Sequence, residues 1–293
     1  MSADLAVVGL GAMGGRCAVR AAEAGFKVVG FDPDPRARES ARVGGVTIAA
    51  DAAEAARTAP LILVSVPLPE HVADLAAGPL QEAAAGTVVV DISTIAPDTA
   101  RKAYAELSAH DVGYVDAPVL GRPEGCGSWT LVVGGPVQAV TRVTPLLEET
   151  VARRVVQVGE VGAGSTVKLL NNLMFGAINA VTAEALTICR RSGVDPAAFV
   201  DVVAQSGAAT VSNLFRELAP RMVSGDDDPT FALELLAKDN RLALQLAQQT
   251  QTAAPLAAAV DVLHTAGLAQ GLGRRDSGAL HRVYAALSPE GDE

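Results

Sequence analysis

A glycine-rich stretch near the amino terminus limits the possible folds of this chain more than any other feature. Gly9-Leu10-Gly11-Ala12-Met13-Gly14 has the spacing G-x-G-x-x-G, which by itself is a weak signal because glycine-rich turns are common. Here the stretch follows the apolar run Leu5–Val8 and precedes an alanine-rich segment, so it joins a predicted strand to a predicted helix. Asp32 ends the next predicted strand, about twenty residues further on, as the dinucleotide-binding fingerprint expects. A structural turn without a ligand is the alternative, and the complete context favours dinucleotide binding.

Each glycine of the stretch has a physical purpose. Gly9 permits the tight turn, Gly11 lets the backbone approach a pyrophosphate, and Gly14 lets helix and strand pack closely. The amino terminus of the helix adds amide donors and the positive end of its dipole.

The carboxylate of Asp32 bears on the choice of cofactor. It accepts a hydrogen bond from a ribose 2′-hydroxyl and repels a 2′-phosphate, so NAD is the preferred cofactor. Arg36 and Arg38 leave NADP possible, although a solvated helix face is the reading of both arginines that we favour.

The first half of the chain alternates short apolar runs with helical stretches. Such alternation, with runs that are apolar throughout, predicts a parallel sheet covered by helices on both faces. The predicted strands are residues 5–8, 26–31, 61–66, 87–91 and 114–116, the last of which closes the series, and the clearest predicted helices are residues 12–24, capped by Gly25, and 98–109.

The pattern changes near residue 162. After Gly162-Ala163-Gly164 a helical stretch runs without a break from about 165 to 191, and at 1.5 Å per residue it spans about 40 Å, enough to run from one domain into another. We therefore predict an α/β Rossmann-type domain over residues 1–162 and an all-α domain over residues 163–293, joined by this long helix.

Composition narrows the class of partner. The net charge of −10 disfavours nucleic acid and anionic membranes, while a small anionic substrate remains possible through a local positive cluster. Cys17, Cys126 and Cys189 are far apart in the sequence and odd in number, which predicts neither a disulfide framework nor a metal site and suits a reducing cytoplasm. We also expect no signal peptide and no apolar run of the eighteen or so residues that cross a bilayer.

Polar residues follow two of the later predicted strands. Val66-Pro67 and Ser93-Thr94 lie at carboxyl ends of strands, where doubly wound sheets bind ligands. Ser93 and Thr94 are equally well explained as helix N-caps before Pro97.

Lys168 is the strongest candidate for proton transfer. Lysine can lose its proton when desolvated and arginine cannot, and this chain uses lysine at only four positions. On the long helix Lys168, Asn172, Phe175 and Asn179 share one face. By spacing alone, the simpler interpretation is favoured: the asparagines hydrogen-bond across a helix interface while Lys168 extends to water.

Six motifs in order carry a family resemblance. They are Gly-x-Gly-x-Met-Gly, Asp-Ile-Ser-Thr at 91–94, Asp-Ala-Pro-Val at 116–119, Gly134-Gly135, Lys-Leu-Leu-Asn-Asn at 168–172 and Lys238-Asp239. Together they resemble the β-hydroxyacid dehydrogenase family, which includes 3-hydroxyisobutyrate dehydrogenase and tartronate semialdehyde reductase, over nearly the whole chain. The resemblance implies hydride transfer between NAD(P) and a small hydroxy acid, and a homodimer or homotetramer that buries helices between subunits.

The resemblance also implies roles for particular residues. Lys168 is the implied general acid/base, and Asn172 positions it or the substrate. The implied cofactor contacts are Gly9 to Gly14, Asp32, Val66, Pro67, Thr94 and Lys238, and the implied substrate pocket comprises Thr94, Leu120, Gly121, Arg122, Lys168, Asn172, Phe231 and Asp239.

One loop departs from the family pattern. Where the family usually has Ser-Gly-Gly after Asp-Ala-Pro-Val, this chain has Leu120-Gly121-Arg122, and Trp129 stands at a common glycine position. Our hypothesis is that Arg122 takes over part of the anion binding and that Leu120 and Trp129 reshape the pocket. Equally weighted is the alternative that Arg122 faces solvent and Trp129 packs in the sheet.

Two other classes compete with this interpretation. Imine reductases share the architecture but usually lack the lysine of the long helix, so Lys168 and Asn172 disfavour an NADPH-dependent imine reductase. A dinucleotide-binding protein without turnover is the third class, and the complete Lys168 motif argues against it.

Overall fold

The computed structural model describes residues 3–206 and 212–287, which form two compact units that divide between Lys168 and Leu169. The division falls inside the long helix, whereas our predicted boundary lies at its start. The strands are β1 (Leu5–Val8), β2 (Val28–Phe31), β3 (Thr47–Ile48), β4 (Leu61–Val64), β5 (Val88–Asp91), β6 (Gly113–Asp116), β7 (Val119–Leu120), β8 (Trp129–Gly134) and β9 (Ala152–Gly159). The helices are α1 (Gly14–Glu23), α2 (Pro35–Val43), α3 (Ala52–Thr58), α4 (Pro69–Ala76), α5 (Pro97–Ser108), α6 (Val137–Thr150), α7 (Ala163–Arg191), α8 (Pro196–Gln205), α9 (Asn213–Ser224), α10 (Leu233–Gln249), α11 (Pro255–Ala269) and α12 (Leu280–Leu287).

The first unit is built on one sheet whose strand order is β3-β2-β1-β4-β5-β6-β8-β7, with β9 beside β8. Strands β1 to β6 pair in parallel, and the order from β3 to β6 is that of the Rossmann fold. The chain leaves β1 toward β2 on one side and returns to β4 on the other. The carboxyl ends of β1 and β4 therefore border the crevice in which folds of this kind bind nucleotides.

Alternating burial explains why the central strands are apolar throughout. In β1, Leu5 and Val7 point into one hydrophobic cluster and Ala6 and Val8 into another, and all four are buried. Successive side chains of a strand point to opposite faces of the sheet, so a strand covered on both faces needs apolar residues at every position. The predicted Rossmann architecture of this unit is confirmed.

The prediction that the strand series closes at residue 116 was wrong. Strands β7, β8 and β9 extend the sheet, and β8 runs antiparallel to both β6 and β7. Strand β7 has only two residues, and β9 exposes Arg153 and Arg154 at the sheet edge, so neither carries a continuous apolar run. The two-residue β3 was missed for the same reason.

The second unit is helical throughout its described elements. Buried side chains from several helices form its core, among them Ala183, Leu186, Leu218, Leu233 and Val283. The last part of α7 contributes to this core, and helices α10, α11 and α12 pack in succession. The predicted all-α architecture is confirmed for this unit.

Helix α7 bears on the expectation that no apolar run is long enough to cross a bilayer. Among the described residues it is long and apolar enough, by length and composition, to cross a membrane, and 44% of its most apolar window is buried within the protein. Leucine, isoleucine and alanine raise its hydropathy although no long unbroken apolar run is present. This is weak evidence for a membrane span, because a helix in a protein core passes the same test, and α7 carries buried polar side chains at Asn172, Asn179 and Thr182.

A buried histidine gives the second unit a pH-dependent stability. His264 on α11 is fully buried beside Gly176 of α7, and neither of its ring nitrogens has a hydrogen-bond partner within residues 3–206 and 212–287. Burial lowers the pKa of His264 to about 4. The unfolded chain therefore binds more protons than the folded chain as the pH falls from about 6.5 to about 4.

We expect acid to destabilise the protein through this group. The lowered pKa corresponds to a loss of about 3 kcal/mol in the free energy of unfolding across that window, and the loss is absent above it. His264→Leu should remove this part of the pH dependence in urea unfolding, while His110→Leu, at an exposed position, should leave it. Equal pH profiles for wild type and His264→Leu would show that His264 does not titrate as the structure implies.

Candidate functional site

The glycine-rich turn follows β1 and leads into α1. Gly9 has φ +93°, its N–H donates to the Phe31 carbonyl at 2.8 Å, and an added Cβ would overlap the carbonyl oxygen of Ser65. At Gly14, the first residue of α1, an added Cβ would overlap the carbonyl oxygen of Gly9. Both positions require glycine because backbone segments meet there, which agrees with the purposes inferred from the sequence.

Gly11 differs from these two glycines because an added Cβ would meet no atom within 4 Å. It lies on the wall of an open cleft of about 730 Å³ in the first unit, together with Ala12, Arg16 and Arg36. The space in front of Gly11, the adjacent amino terminus of α1 and the arginines of the wall fit the phosphate and ribose groups of a dinucleotide.

Substitutions at Gly11 and Gly14 are expected to have opposite effects on dinucleotide binding and on stability. We expect Gly11→Val to fold with an unchanged melting temperature and to bind dinucleotide at least about tenfold more weakly, because the side chain occupies the cleft and not the core. Gly14→Ala should instead lower the melting temperature, since its Cβ meets backbone. Calorimetric titration and thermal unfolding of both variants measure the difference. Full affinity in Gly11→Val would place the dinucleotide elsewhere.

Asp32 holds the glycine-rich turn in addition to any role toward a ligand. Its Oδ2 accepts from the Leu10 N–H at 2.7 Å, and its Oδ1 accepts from the Asp34 N–H at 2.8 Å. A carboxylate has about four acceptor positions, so each oxygen retains capacity for a further hydrogen bond. Arg38 donates to the Asp32 carbonyl at 2.6 Å, so the solvated face that we favoured for it is wrong, whereas Arg36 is exposed at the cleft.

Ser93 ties together the carboxyl ends of β4 and β5. It is buried, its hydroxyl accepts from the Val66 N–H at 3.0 Å, and its own N–H donates to Asp91 Oδ1 at 2.8 Å. The N-cap alternative for Ser93 and Thr94 was wrong, because Ala96 is the N-cap of α5 and no side chain caps it. Thr94, half-buried directly after Ser93, therefore follows the strand edge at which doubly wound sheets bind ligands.

Asp116 anchors the start of the helix that carries Lys168. Its carboxylate accepts from the N–H groups of Gly162 and Ser165, both at 2.7 Å, at the amino terminus of α7. Burial raises the pKa of Asp116 to about 6, against the lowering effect of these two hydrogen bonds. In the sequence, Asp116 is visible only as part of a motif. Its contact with the start of α7 was not predicted, because a contact to a helix that begins some fifty residues later leaves no local signal.

The divergent loop at 120–122 is braced by Trp129. Trp129 is buried in the sheet core, its Nε1–H donates to the Arg122 carbonyl at 2.6 Å, and an added Cβ at Gly121 would overlap the indole ring. This agrees with the alternative in which Trp129 packs in the sheet. The Arg122 side chain is half-buried, so the alternative of a fully solvated Arg122 does not hold.

In the second unit, the buried carboxylate of Asp239 contacts two other predicted site residues, Asn172 and Lys238. Asn172 on α7 donates from Nδ2 to Asp239 Oδ2 at 2.6 Å, and Lys238 Nζ lies 3.0 Å from Asp239 Oδ1. Asp239 and Asn172 are almost completely buried, so the carboxylate fixes the amide of Asn172 on α7. Asn179 instead donates to Ser277 Oγ at 3.0 Å. This contact agrees with the alternative in which the asparagines of α7 hydrogen-bond across a helix interface.

Phe231 is held by a second buried carboxylate. Asp276 Oδ2 accepts from the Phe231 N–H at 3.2 Å and from the Thr230 N–H at 2.9 Å, and the Phe231 ring packs edge-on against Phe175 with centroids 5.7 Å apart. The contact of Asp276 with Phe231 leaves no local sequence signal, because the two residues are more than forty positions apart.

Lys168 is half-buried on α7, one turn before Asn172. Residues four apart on a helix share a face, so Lys168 and Asn172 lie on the same face of α7. A lysine beside a fixed amide can exchange a proton with a substrate hydroxyl while the amide orients it.

The fold and the glycine-rich turn define a dinucleotide-binding oxidoreductase architecture, and comparison with known proteins narrows it. A family model described as the NAD binding domain of 6-phosphogluconate dehydrogenase matches residues 4–159. A second, described as NAD-binding of NADP-dependent 3-hydroxyisobutyrate dehydrogenase, matches residues 162–284.

Individual relatives match along most of their length. The chain is 35% identical to a 3-hydroxyisobutyrate dehydrogenase of Pseudomonas aeruginosa over 87% of this chain and 89% of that one. It is 32% identical to the 3-sulfolactaldehyde reductase of Escherichia coli, over 95% and 94% of the two chains. The crystal structure of a 3-hydroxyisobutyrate dehydrogenase from Salmonella typhimurium superposes with a TM-score of 0.87 at 30% identity, covering 96% of this chain and 99% of that one.

The chain belongs to the β-hydroxyacid dehydrogenase family, the NAD(P)-dependent dehydrogenases of 3-hydroxy acids. The resemblance seen in the sequence motifs is therefore confirmed.

Proposed function

We propose that this protein interconverts a small 3-hydroxy acid similar to 3-hydroxyisobutyrate with its semialdehyde or keto acid, with Lys168 as general acid/base. One observation carries the proposal: Lys168 shares a face of α7 with Asn172, whose amide is fixed by the buried Asp239 at 2.6 Å. Proton transfer requires a donor and an acceptor held in one geometry, and the fixed Asn172 amide provides such a rigid group on the face that carries Lys168.

The mechanism assigns proton transfer to the protein. In oxidation Lys168 Nζ accepts the proton of the substrate hydroxyl, and in reduction it returns that proton to the carbonyl oxygen. Asn172 orients the substrate oxygen toward Lys168, and Asp239 keeps the Asn172 amide in place. A bound nicotinamide dinucleotide supplies the hydride acceptor or donor.

NAD is the proposed cofactor, in preference to NADP. Gly9 to Gly14 would hold the pyrophosphate through backbone amides, and Asp32 would meet the ribose 2′-hydroxyl with its remaining acceptor capacity. The exposed Arg36 on the cleft wall is the residue that would admit a 2′-phosphate. The further proposed cofactor contacts are Val66, Pro67, Thr94 and Lys238.

The proposed substrate pocket selects a small anion. Two of the relatives are named for 3-hydroxyisobutyrate and 3-sulfolactaldehyde, which carry a carboxylate and a sulfonate. Arg122, held in place through the Trp129 indole, is the proposed anion contact. The other proposed lining residues are Thr94, Leu120, Gly121, Lys168, Asn172, Phe231 and Asp239.

Arg122→Ala tests the anion contact. We expect KM for a carboxylate substrate to rise at least about tenfold with kcat within about threefold, because a charge-assisted hydrogen bond made before and during the reaction is lost. Arg153→Ala, at the exposed sheet edge, is the matched control and should leave both constants unchanged. An unchanged KM in Arg122→Ala would eliminate this role.

We propose that the protein is a homodimer or homotetramer. Helix α7 leaves an apolar stripe exposed that comprises Leu170, Met174, Val181 and Ile188, with 49% to 63% of each residue accessible. Apolar side chains at this spacing form one helix face, and a second copy of the chain would bury it. Light scattering tests this proposal, and a monomer at micromolar concentration would contradict it. The three free cysteines fit the reducing cytoplasm that we propose as the compartment.

The experiment for the proposed function is a turnover screen. We expect NAD reduction with at least one of 3-hydroxyisobutyrate, serine, threonine, glycerate, threonate and larger aromatic 3-hydroxy acids, with NADP less efficient. Rapid NADPH oxidation by cyclic imines without any hydroxy acid turnover would identify an imine reductase. Dinucleotide binding without turnover across both panels would identify a non-catalytic protein.

A further inference from the structure

Two cysteines that are far apart in the sequence come together beside the cleft. Cys17 is fully buried in α1, and Cys126 directly follows the short turn Pro123–Gly125. On one side of the pair Arg16 Nη2 lies 3.9 Å from Glu124 Oε1, and on the other the Arg20 guanidinium packs directly on Gly127. The residues flanking each cysteine thus contact the residues flanking the other.

Cys126 packs against the core cluster that contains Cys17, and the surroundings of the two thiols favour a reactive sulfur at one of them. The hydrogen bond from Cys17 lowers the pKa of the Cys126 thiol, and the positive charges of Arg20 and Arg16 lower it further, against its partial burial. The same hydrogen bond and burial raise the pKa of Cys17 well above its usual value. Cys126, Arg16 and Arg20 all line the open cleft, so a small solute reaches Cys126.

We propose that Cys17 and Cys126 are a site of reversible oxidation that hydroperoxides convert to a disulfide. Cys126 is the attacking thiolate because it is the accessible sulfur, and Cys17 is the resolving thiol because it lies against Cys126 in the core. Cys189 takes no part, since it lies in the other unit and its thiol contacts the carbonyl of Val194 at 3.5 Å.

The chemistry balances with hydrogen peroxide as the oxidant. The Cys126 thiolate attacks one peroxide oxygen, the O–O bond breaks, and the departing hydroxide takes up a proton to become water, which leaves a sulfenic acid on Cys126. The Cys17 sulfur then attacks the Cys126 sulfur, the S–O bond breaks, and the oxygen leaves as a second water with the proton of Cys17. The two thiols lose two electrons and peroxide gains them. A dithiol reductant reverses the reaction by thiol–disulfide exchange.

Forming the bond has a structural consequence at the cleft. A disulfide bond of about 2 Å is shorter than any contact between two sulfurs that are not bonded, so the segment at 121–128 is drawn toward α1. Gly11 and Arg36 line the same cleft, and we expect oxidation to weaken dinucleotide binding. This consequence, unlike the disulfide itself, rests on the proposed cofactor site.

Peroxide titration followed by mass spectrometry tests the disulfide. The native protein is treated with a small excess of hydrogen peroxide, quenched with catalase, unfolded, and alkylated with N-ethylmaleimide. We expect wild type to lose two of its three titratable thiols and to yield a Cys17–Cys126 linked peptide that dithiothreitol removes. Cys189→Ala should behave identically, and Cys126→Ser should give no linked peptide.

Retention of three free thiols, or progress of Cys126 to sulfinic acid without a cross-link, would overturn the proposal. Cys126→Ser keeps the buried Cys17 intact, so the test does not depend on a core substitution.

Calorimetric titration with NAD tests separately whether the disulfide weakens dinucleotide binding. We expect oxidised wild type to bind at least about fivefold more weakly than reduced protein, and Cys126→Ser to bind equally well before and after peroxide. A disulfide with unchanged NAD affinity would remove the regulatory consequence, while failure of the reduced protein to bind NAD would count against the proposed function alone.

Discussion

Replacing Lys168 with alanine is expected to lower kcat by about 10²- to 10⁴-fold, the usual contribution of a positioned acid/base group. The affinity for dinucleotide should change by less than about threefold, because Lys168 is not among the proposed cofactor contacts. Steady-state kinetics and calorimetric titration of the same preparation measure both quantities.

Two further variants make the Lys168 result specific. Lys168→Arg retains a positive charge but cannot release a proton, so it should be nearly as inactive as Lys168→Ala. Lys102→Ala, at an exposed position of α5, is the matched control for removing a lysine and should keep wild-type kinetics. An active Lys168→Arg would show that the charge of the lysine matters and that its proton does not.

The second large effect is expected from Asp239→Ala. Removing this buried carboxylate leaves the Asn172 amide and the Lys238 amine without the acceptor that both now share. Breaking a buried charged pair by deleting one partner costs about 3 to 5 kcal/mol, so the free energy of unfolding should fall by about that amount. We also expect kcat to fall at least about tenfold, because the Asn172 amide is no longer fixed beside Lys168.

The chain offers a matched control for Asp239. Arg241 of α10 and Asp261 of α11 form an ion pair at 3.2 Å, with both side chains partly exposed. Asp261→Ala should therefore cost less than about 1 kcal/mol and leave kcat unchanged. A double variant tests the coupling of the two residues. If the increases in activation free energy caused by Asn172→Ala and Asp239→Ala were additive, the residues would act independently and the proposed positioning of Asn172 by Asp239 would be wrong.

The parts of the structure that were predictable from sequence are those set by local patterns. Strands β1, β4 and β5 are apolar at every position because helices cover both faces of the sheet, and such runs are visible without coordinates. The roles of Gly9 and Gly14 follow from the strand–turn–helix context in the same way.

The features that escaped prediction depend on contacts between distant segments. Strand β9 is an exposed edge with two arginines, so its pairing with β8 leaves no apolar run to detect. Asp116 caps a helix that begins far along the chain, and Trp129 buries its indole under Gly121. Cys17 and Cys126 are far apart in the sequence and predict no disulfide framework, and only the packing of the turn near 125 on α1 brings them together.

The proposed reaction and the proposed thiol switch are separable in the same molecule. The first depends on α7 and the Asn172–Asp239 hydrogen bond, and the second on α1 and the segment at 121–128. Variants at Lys168 should therefore leave disulfide formation unchanged, and Cys126→Ser should leave the reaction insensitive to peroxide.

Chemical rescue of Lys168→Ala is the most direct test of Lys168 as the general acid/base. Added to this variant at saturating NAD and hydroxy acid, small primary amines such as methylamine should raise turnover in proportion to their concentration, and more strongly as their basicity approaches the optimum for the reaction. We expect this recovery in Lys168→Ala and none in wild type. Wild-type turnover by Lys168→Ala without any amine would contradict it.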